Sequence, residues 1–386
     1  MAVKKIVFVL TSLRKGGAEG KAQKLITALS DHYKVELLLF NNAIEYDLPP
    51  NVHIQVLGSQ TRFLSGTWLQ LPHIFLSYFA YIKKDKTQAS LSYGYMPNML
   101  CLLSRRFGWK RKTIINHINN SELELKQSSR LKAKLMKTLI SGHYQKADAI
   151  IVPSDGLKRD LIRHLGINGS KINLLYNPLD LSSIGKLSAK PLDLYLDDDA
   201  SFIFLHVGNN RPQKNHRLLL ESFAQLKADK VILWLIGIGA DQNLLTEQAK
   251  ELKIESKVRF FGAVDNPYQY MSKADCLVLC SDYEGLPNVI LEALACKLPV
   301  ISTDCNFGPR EILAPKTDFK KITLDAVEIA EFGILTPVGN RPLLTEAMNM
   351  TIANPDLLAK IRSVSRQRSQ DFDIEHMIKD YLELIN

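Results

Sequence analysis

The segment Ser281-Asp282-Tyr283-Glu284-Gly285-Leu286-Pro287-Asn288-Val289-Ile290-Leu291-Glu292 follows an apolar run, CLVLC, and leads into a helix-forming one. Its residue types suit hydroxyl and phosphate recognition. Glu284 in the loop and Glu292 eight positions on carry carboxylates that can accept hydrogen bonds from sugar or ribose hydroxyls. Pro287 suits the first helical position, where a missing N–H costs nothing. The amides of Asn288 and Val289 then fall at the positive end of a helix, which favours a diphosphate. The same spacing by itself also describes a capped helix with a solvent-facing glutamate.

Three other places could contribute. Gly16-Gly17 follows the first apolar run, and without a Cβ the backbone there allows a ligand close approach, although a plain strand-to-helix turn also uses glycines. The stretch Gly208–Lys214 (GNNRPQK) follows a second such run, and the ammonium of Lys214 is a point charge suited to a diphosphate. His117 ends a third, where a lone histidine is more often structural than functional. No G-x-G-x-x-G occurs, which disfavours a dinucleotide dehydrogenase. Asp197-Asp198-Asp199 sits in a polar stretch and reads as a solvated acidic turn, so no metal is expected. Five cysteines (Cys101, Cys276, Cys280, Cys296, Cys305) are odd in number and lack metal-type spacing, which predicts reduced thiols.

These candidates need elements to hold them. Strand-length runs rich in Val, Ile and Leu occur at 5–10, 35–40, 53–57, 89–93, 112–117 and 149–152. A second series occupies 202–207, 231–236, 258–261, 276–280, 299–302 and 333–338. Such runs barely alternate, as expected of strands covered by helices on both faces. Two successive series of strands alternating with helices predict two doubly wound α/β domains. The expected boundaries are 1–177 for an N-terminal domain, 178–200 for a linker and 201–370 for a C-terminal domain. Residues 371–386 form a final helix, with Ile374, Met377, Ile378, Tyr381, Leu382 and Ile385 on one stripe that must dock, and one available place is back across the domain boundary on the first domain. Residues 315–332 interrupt the second series as an insertion. Ligands in such folds sit beyond the carboxyl ends of the strands, which places the expected site in the cleft between the domains.

The 386 residues, 46% apolar and 23% charged, are ordinary for a folded chain and exclude disordered and fibrous classes. No apolar run is long enough for a transmembrane helix. The N-terminal MAVKKIVFVL reads as a strand and not as a signal peptide, because its apolar run is short and no small-residue cleavage site follows. Charge is lopsided. Residues 1–190 carry 28 Lys and Arg against 12 Asp and Glu, whereas the remainder carries 21 against 28. A basic half points to an anionic partner. Clusters lie at Arg105-Arg106, at Lys110-Arg111-Lys112, and along Lys126, Arg130, Lys132, Lys134 and Lys137. Trp68, Phe75, Tyr78, Phe79 and Tyr81 lie beside lysines, a mixture that fits an anionic membrane leaflet. No nucleic-acid module is recognisable, so no nucleic-acid partner is expected.

Taken together, these motifs resemble the retaining glycosyltransferases of family 4, whose fold is GT-B. The likeness rests on Glu-x7-Glu followed by ALACKLPVISTDCNFGPREIL, on Gly16-Gly17-Ala18-Glu19, His117-Ile118-Asn119 and Tyr176-Asn177-Pro178, and on Gly208–Lys214. It spans nearly the whole chain. Through LLYNPLDLSSIG and NPYQYMSKADCLVLCSDYEGLPNV the chain is similar to bacterial enzymes that add N-acetylhexosamines to lipid-linked oligosaccharides or surface polysaccharides. The resemblance implies two Rossmann-like α/β domains facing a cleft, the first, 1–177, binding the acceptor and the second, 201–370, the nucleotide-sugar. It assigns Glu284 to the donor sugar, Glu292 to the ribose hydroxyls, Lys214 to the diphosphate and His117 to the transferred sugar. Gly16, Gly17, Gly285, Leu286, Asn288 and Val289 complete the donor site. Asn209 stands where many relatives have arginine, and Arg211 is the candidate to supply that charge.

The implied activity is metal-independent, retaining transfer of a hexose or N-acetylhexosamine from a UDP-sugar, with no cofactor. The implied acceptor is a saccharide or lipid-linked oligosaccharide at the inner face of the cytoplasmic membrane. The alternatives are a GDP-mannose donor, a nucleotide-sugar epimerase of the same fold, or a peripheral membrane-binding module without catalysis. The coexistence of Glu284, Glu292 and Lys214 argues against the last.

Overall fold

The computed structural model describes residues 4–58, 67–84, 87–109, 111–118, 120–121, 129–192, 201–239, 242–323 and 325–386. Lys110, Asn119, Lys126 and Asp197-Asp198-Asp199 lie outside the described residues, as do the side chains of Trp68, Arg106, Arg130 and Lys132. The chain divides into two units, Met1–Pro178 with Ile374–Asn386, and Leu179–Asp373.

In the first unit the strands are β1 (Lys5–Leu10), β2 (Lys34–Leu39), β3 (His53–Val56), β4 (Ala89–Tyr93), β5 (Lys112–Asn116), β6 (Ala149–Val152) and β7 (Ile172–Leu174). They form one parallel sheet in the order β3-β2-β1-β4-β5-β6-β7. The two-residue period sorts the side chains of β1 onto two buried faces. Ile6, Phe8 and Leu10 enter one apolar cluster, and Val7 and Val9 enter another. The C-terminal helix Ile374–Ile385 belongs to this unit and buries Tyr381 and Ile385 in the first of those clusters. Helix Gly17–Leu29 buries a lysine on its core face: Lys21 donates to Leu175 O at 3.2 Å, and burial pushes its pKa down to about 7.

The second unit contains β8 (Phe202–Val207), β9 (Val231–Ile236), β10 (Val258–Gly262), β11 (Cys276–Leu279), β12 (Val300–Thr303), β13 (Glu328–Ile329) and β14 (Ile334–Thr336). Their order is β10-β9-β8-β11-β12-β14-β13, parallel except for the antiparallel β13–β14 pair. In each sheet the chain winds one way from its first strand and then the other. The two strands that meet at the reversal are β1 and β4 in the first unit and β8 and β11 in the second. Their carboxyl ends open the crevice that doubly wound sheets offer a ligand.

Three stretches differ from expectation. The segment read as a linker holds the helix Leu181–Ser188, capped by Asp180, whose Oδ1 accepts the Ser183 N–H at 2.8 Å. This helix is part of the second unit: Asn266 Nδ2 donates to Leu187 O at 2.8 Å, and Leu179 N–H donates to Phe372 O at 2.8 Å. With one buried residue, Ile184, it is too weakly patterned to be seen before its neighbours are placed. Strand β7 was missed for the same reason, since three residues make no periodicity. The insertion 315–332 supplies β13 and is stapled down by Arg310, which is buried against Asp304 at 2.6 Å and Glu328 at 2.7 Å.

Candidate active site

The site in the second unit is built on the loops that leave β8 and β11, the two strands at the reversal. Beyond β8, Gly208 N–H donates to Ile236 O at 2.9 Å and Asn210 N–H to Ile238 O at 2.9 Å.

 

This zips the β8 loop to the β9 loop, and Asn209 joins it by accepting the Ile238 N–H on Oδ1 at 3.4 Å. Gly237 makes the close approach possible: its φ is +141°, and a Cβ there would stand 2.1 Å from Gly208 O. Gly237→Ala is therefore expected to lower stability by about 1–3 kcal/mol and to weaken nucleotide binding with it. A denaturant melt and a UDP titration check this, and unchanged values in both would refute the close approach.

After a single 3-10 turn, Pro212–Lys214, Asn215 takes the left-handed conformation at φ 49° and caps the helix His216–Phe223 by accepting the Leu218 N–H at 3.2 Å. An asparagine tolerates that conformation and supplies the cap at once. Lys214 is thereby aimed at the β11 loop. Its Nζ lies 2.6 Å from Glu284 Oε1, which also accepts from Ser281 Oγ at 2.7 Å. Further bonds lace the two loops together: Asp282 N–H to Gln213 O at 2.9 Å, Gln213 Nε2 to Tyr283 O at 2.6 Å, and Asn215 Nδ2 to Asp282 Oδ1 at 2.8 Å. An ammonium carries three N–H groups, so the bond to Glu284 leaves two for other acceptors.

Pro287 is the N-cap and not the first helical residue, so the helix runs Asn288–Ala295 and no side chain caps it. Val289 is buried at that end. Behind it, Gly308 (φ +96°) presses on the same turn, where a Cβ would stand 2.7 Å from Pro287 Cδ. Glu292 lies in the second turn of the helix and accepts from the Tyr268 hydroxyl at 3.5 Å. Burial, with the Glu292 carboxylate next in effect, pushes the Cys296 thiol up to about 12. Lys214, Glu284, Gly285, Leu286, Asn288, Val289 and Glu292 are thus gathered in one unit around one pair of loops. Arg211 begins the 3-10 turn and is exposed, and no hydrogen bond or ion pair of its side chain is present among the described residues.

The remaining candidates belong to the first unit. Gly16 is extended (φ −169°) and caps helix Gly17–Leu29, and its amide is taken by the Tyr46 hydroxyl at 3.3 Å. Its lack of a side chain answers to Glu19, whose Oε2 would lie 2.6 Å from a Cβ. His117 is only 1% exposed, with Nε2 3.2 Å from Ser121 Oγ and its ring edge-on to Tyr95 and Tyr144. That ring is committed to the interior of its own unit. At the β1–β4 reversal a cavity of ≈ 100 Å³ is lined by Thr11, Ser12, Glu19, Tyr93 and Gly94. Two residues that sequence reasoning passed over, His206 and His216, lie buried beside Lys214; the one signal was His206, a histidine inside the apolar run FIFLHV, whereas His216 opens a helix. Among the described residues, no group of three or more His, Cys, Asp or Glu is placed to hold a metal ion.

Comparison with known proteins agrees with this geometry. The family Glycosyl transferases group 1 matches residues 195–368, and Glycosyltransferase Family 4 matches residues 15–183. A Campylobacter jejuni protein, N-acetylgalactosamine-N,N'-diacetylbacillosaminyl-diphospho-undecaprenol 4-alpha-N-acetylgalactosaminyltransferase, is 30% identical over 99% of this chain and 100% of its own length. Among solved structures, Anabaena HepE in complex with UDP superposes with a TM-score of 0.75 at 20% identity, covering 98% of each chain. Sucrose-phosphate synthase from Thermosynechococcus elongatus gives a TM-score of 0.79 at 18% identity, covering 99% of this chain and 98% of its own. Two Rossmann-like units, a lysine–glutamate pair at the sheet reversal and a full-length relative lead to one assignment: the chain is a glycosyltransferase of family 4 with the GT-B fold.

Proposed function

We propose that this glycosyltransferase moves an N-acetylhexosamine from a UDP-sugar, with retention and without a metal, to a lipid-linked saccharide. The observation that carries the proposal is the Lys214–Glu284 pair, 2.6 Å apart where the loops of β8 and β11 meet. One N–H of Lys214 fixes it to Glu284, and the others face the charge that builds on the departing diphosphate. The second oxygen of Glu284 accepts a hydroxyl of the donor sugar. Glu292 holds the ribose, and the exposed Arg211 supplies the second cation. The UDP donor is supported by the UDP complex of HepE, and the acceptor by the undecaprenyl diphosphate named in the Campylobacter relative. The Campylobacter relative is named a transferase, which favours this reading over an epimerase.

Turnover of UDP-N-acetylhexosamines, UDP-hexoses and GDP-mannose on an undecaprenyl diphosphate-linked saccharide tests the proposal. Transfer from a UDP-sugar with the anomeric configuration kept is the expected result, and transfer from GDP-mannose alone would overturn the donor. Activity is expected to survive excess EDTA. Loss of turnover on chelation, restored by Mg²⁺ or Mn²⁺, would show that a metal takes part.

No described helix is long and apolar enough to cross a membrane. We place the enzyme at an anionic membrane surface through its basic unit. Phe107 is exposed and packs against Phe75 and Phe79 at 5.6 and 4.9 Å, and Lys83 lies over the Phe79 ring at 4.9 Å. On the helix Arg130–Tyr144, Leu135 and Leu139 are exposed alongside Lys134 and Lys137. Each basic residue near such a surface contributes about 1 kcal/mol, so the pair Lys134→Glu and Lys137→Glu is expected to cut binding to anionic liposomes at least tenfold. Turnover on a short soluble acceptor should hardly change. Equal losses on soluble and lipid-linked acceptors would count against a membrane role.

A further inference from the structure

We infer that His216, backed by His206, is a positioning residue: two uncharged buried imidazoles hold the loop Gly208–Lys214 at the height from which Lys214 meets the diphosphate. The inference rests on the nucleotide reading above. His206 lies inside β8 with no exposed surface, and its Nδ1 is 2.8 Å from Val278 O. A carbonyl only accepts, so Nδ1 carries the hydrogen and Nε2 keeps its lone pair. That nitrogen has no partner among the described residues and lies directly beneath Gly208, where a Cβ would stand 3.3 Å away. His216, at the start of the next helix, packs edge-on to His206 with ring centroids 4.5 Å apart. The Gly208 backbone is the polar group that acts on its ring, while its Nδ1 has no partner among the described residues.

The surroundings oppose a charge on either ring. Lys214 is the cation that both feel. From β11 comes Val278 O, and just beyond it the Cys280 thiol, which donates to Lys214 O at 3.2 Å and is pushed up to about 12 by burial. The nearby acids are engaged elsewhere, Glu284 with Lys214 and Asp282 with Asn215. Burial first, then Lys214, pushes the His216 pKa down to about 4, and burial with His216 pushes that of His206 well down. An unfolded histidine titrates near pH 6.5, so between about 6.5 and 4 the unfolded state takes up protons that the native pair refuses. The support is therefore complete above pH 6.5 and weakens as pH falls toward 4.

Calorimetric titration of UDP from about pH 8 to about pH 5 on wild type, His216→Gln and His216→Phe tests this. Phe keeps a ring of similar size but loses the polar interaction with the Gly208 backbone, and is expected to bind UDP about tenfold more weakly at about pH 8, the worth of one such polar interaction. Gln restores a donor that cannot titrate and should recover most of that affinity. Because the native ring stays uncharged until the pH nears about 4, the ratio of wild-type to His216→Gln affinity is expected to hold constant from about pH 8 to about pH 5. Protonation of UDP itself is common to both proteins and cancels in their ratio. A ratio that falls as pH passes through about 6.5, which would mean a charged ring, or a Phe variant with wild-type affinity, overturns the inference. Wild type that fails to bind UDP at all overturns the nucleotide reading first. Should both variants fail to fold, imidazole ¹⁵N spectra of wild type decide: UDP is expected to move the His216 signals, and unmoved signals refute the role.

Discussion

Alanine in place of Lys214 is expected to lower kcat by about 10²–10³-fold, the usual cost of deleting one preorganised group that meets developing charge. The ammonium stands 2.6 Å from Glu284 on a turn held by backbone bonds, so the proposed departure of a diphosphate needs no reorganisation there. The deletion also strands a carboxylate that is 9% exposed. Breaking a buried pair costs about 3–5 kcal/mol, and the lower end applies here because the lysine side keeps some contact with water. The double variant Lys214→Ala with Glu284→Gln separates the two effects. It removes the stranded charge, so stability should return while turnover stays low. Turnover that returned with stability would make the pair structural and nothing more.

Glu292→Ala is expected to raise the Kd for UDP by about 10–100-fold, since a carboxylate bonded to ribose hydroxyls contributes about 1.5–3 kcal/mol per bond. Glu284→Gln should leave UDP affinity within a few-fold of wild type and act mainly on kcat. Ribose contacts persist in the free nucleotide, whereas contacts to the moving sugar matter most in the transition state. Titrating UDP into both variants and measuring transfer in parallel resolves the two roles. Wild-type UDP affinity in Glu292→Ala would sink its assignment.

Much of the fold was legible before any coordinates. Runs such as KIVFVL and VILWLI are apolar on successive residues, which only a strand covered on both faces tolerates, and both are buried strands here. Short elements were not legible. Ile172–Leu174 and Glu328–Ile329 contain too few residues to show a period, and helix Leu181–Ser188 owes its place to the bridge at Leu179–Asp373 and to Asn266. In the site, the residue types at Lys214, Glu284 and Glu292 were visible as chemistry. Their mutual geometry was not, because Lys214 and Glu284 are 70 positions apart.

By itself, the sequence determined two strand–helix series, a turn-prone stretch from Gly208 to Lys214, a helix beginning near Pro287 and a basic first half. These are local properties: periodicity, turn chemistry and charge can be read within a few residues. Only the tertiary structure decided that Lys214 and Glu284 form an ion pair, that Asn209 is occupied by the β9 loop, and that His117 is packed between two tyrosines. It also placed His206 and His216 as a neutral pair beneath the Gly208 loop. Each of these depends on strand order. Parallel pairing of β8 with β11 joins loops that lie far apart in the chain, and no local pattern encodes which strands will be neighbours.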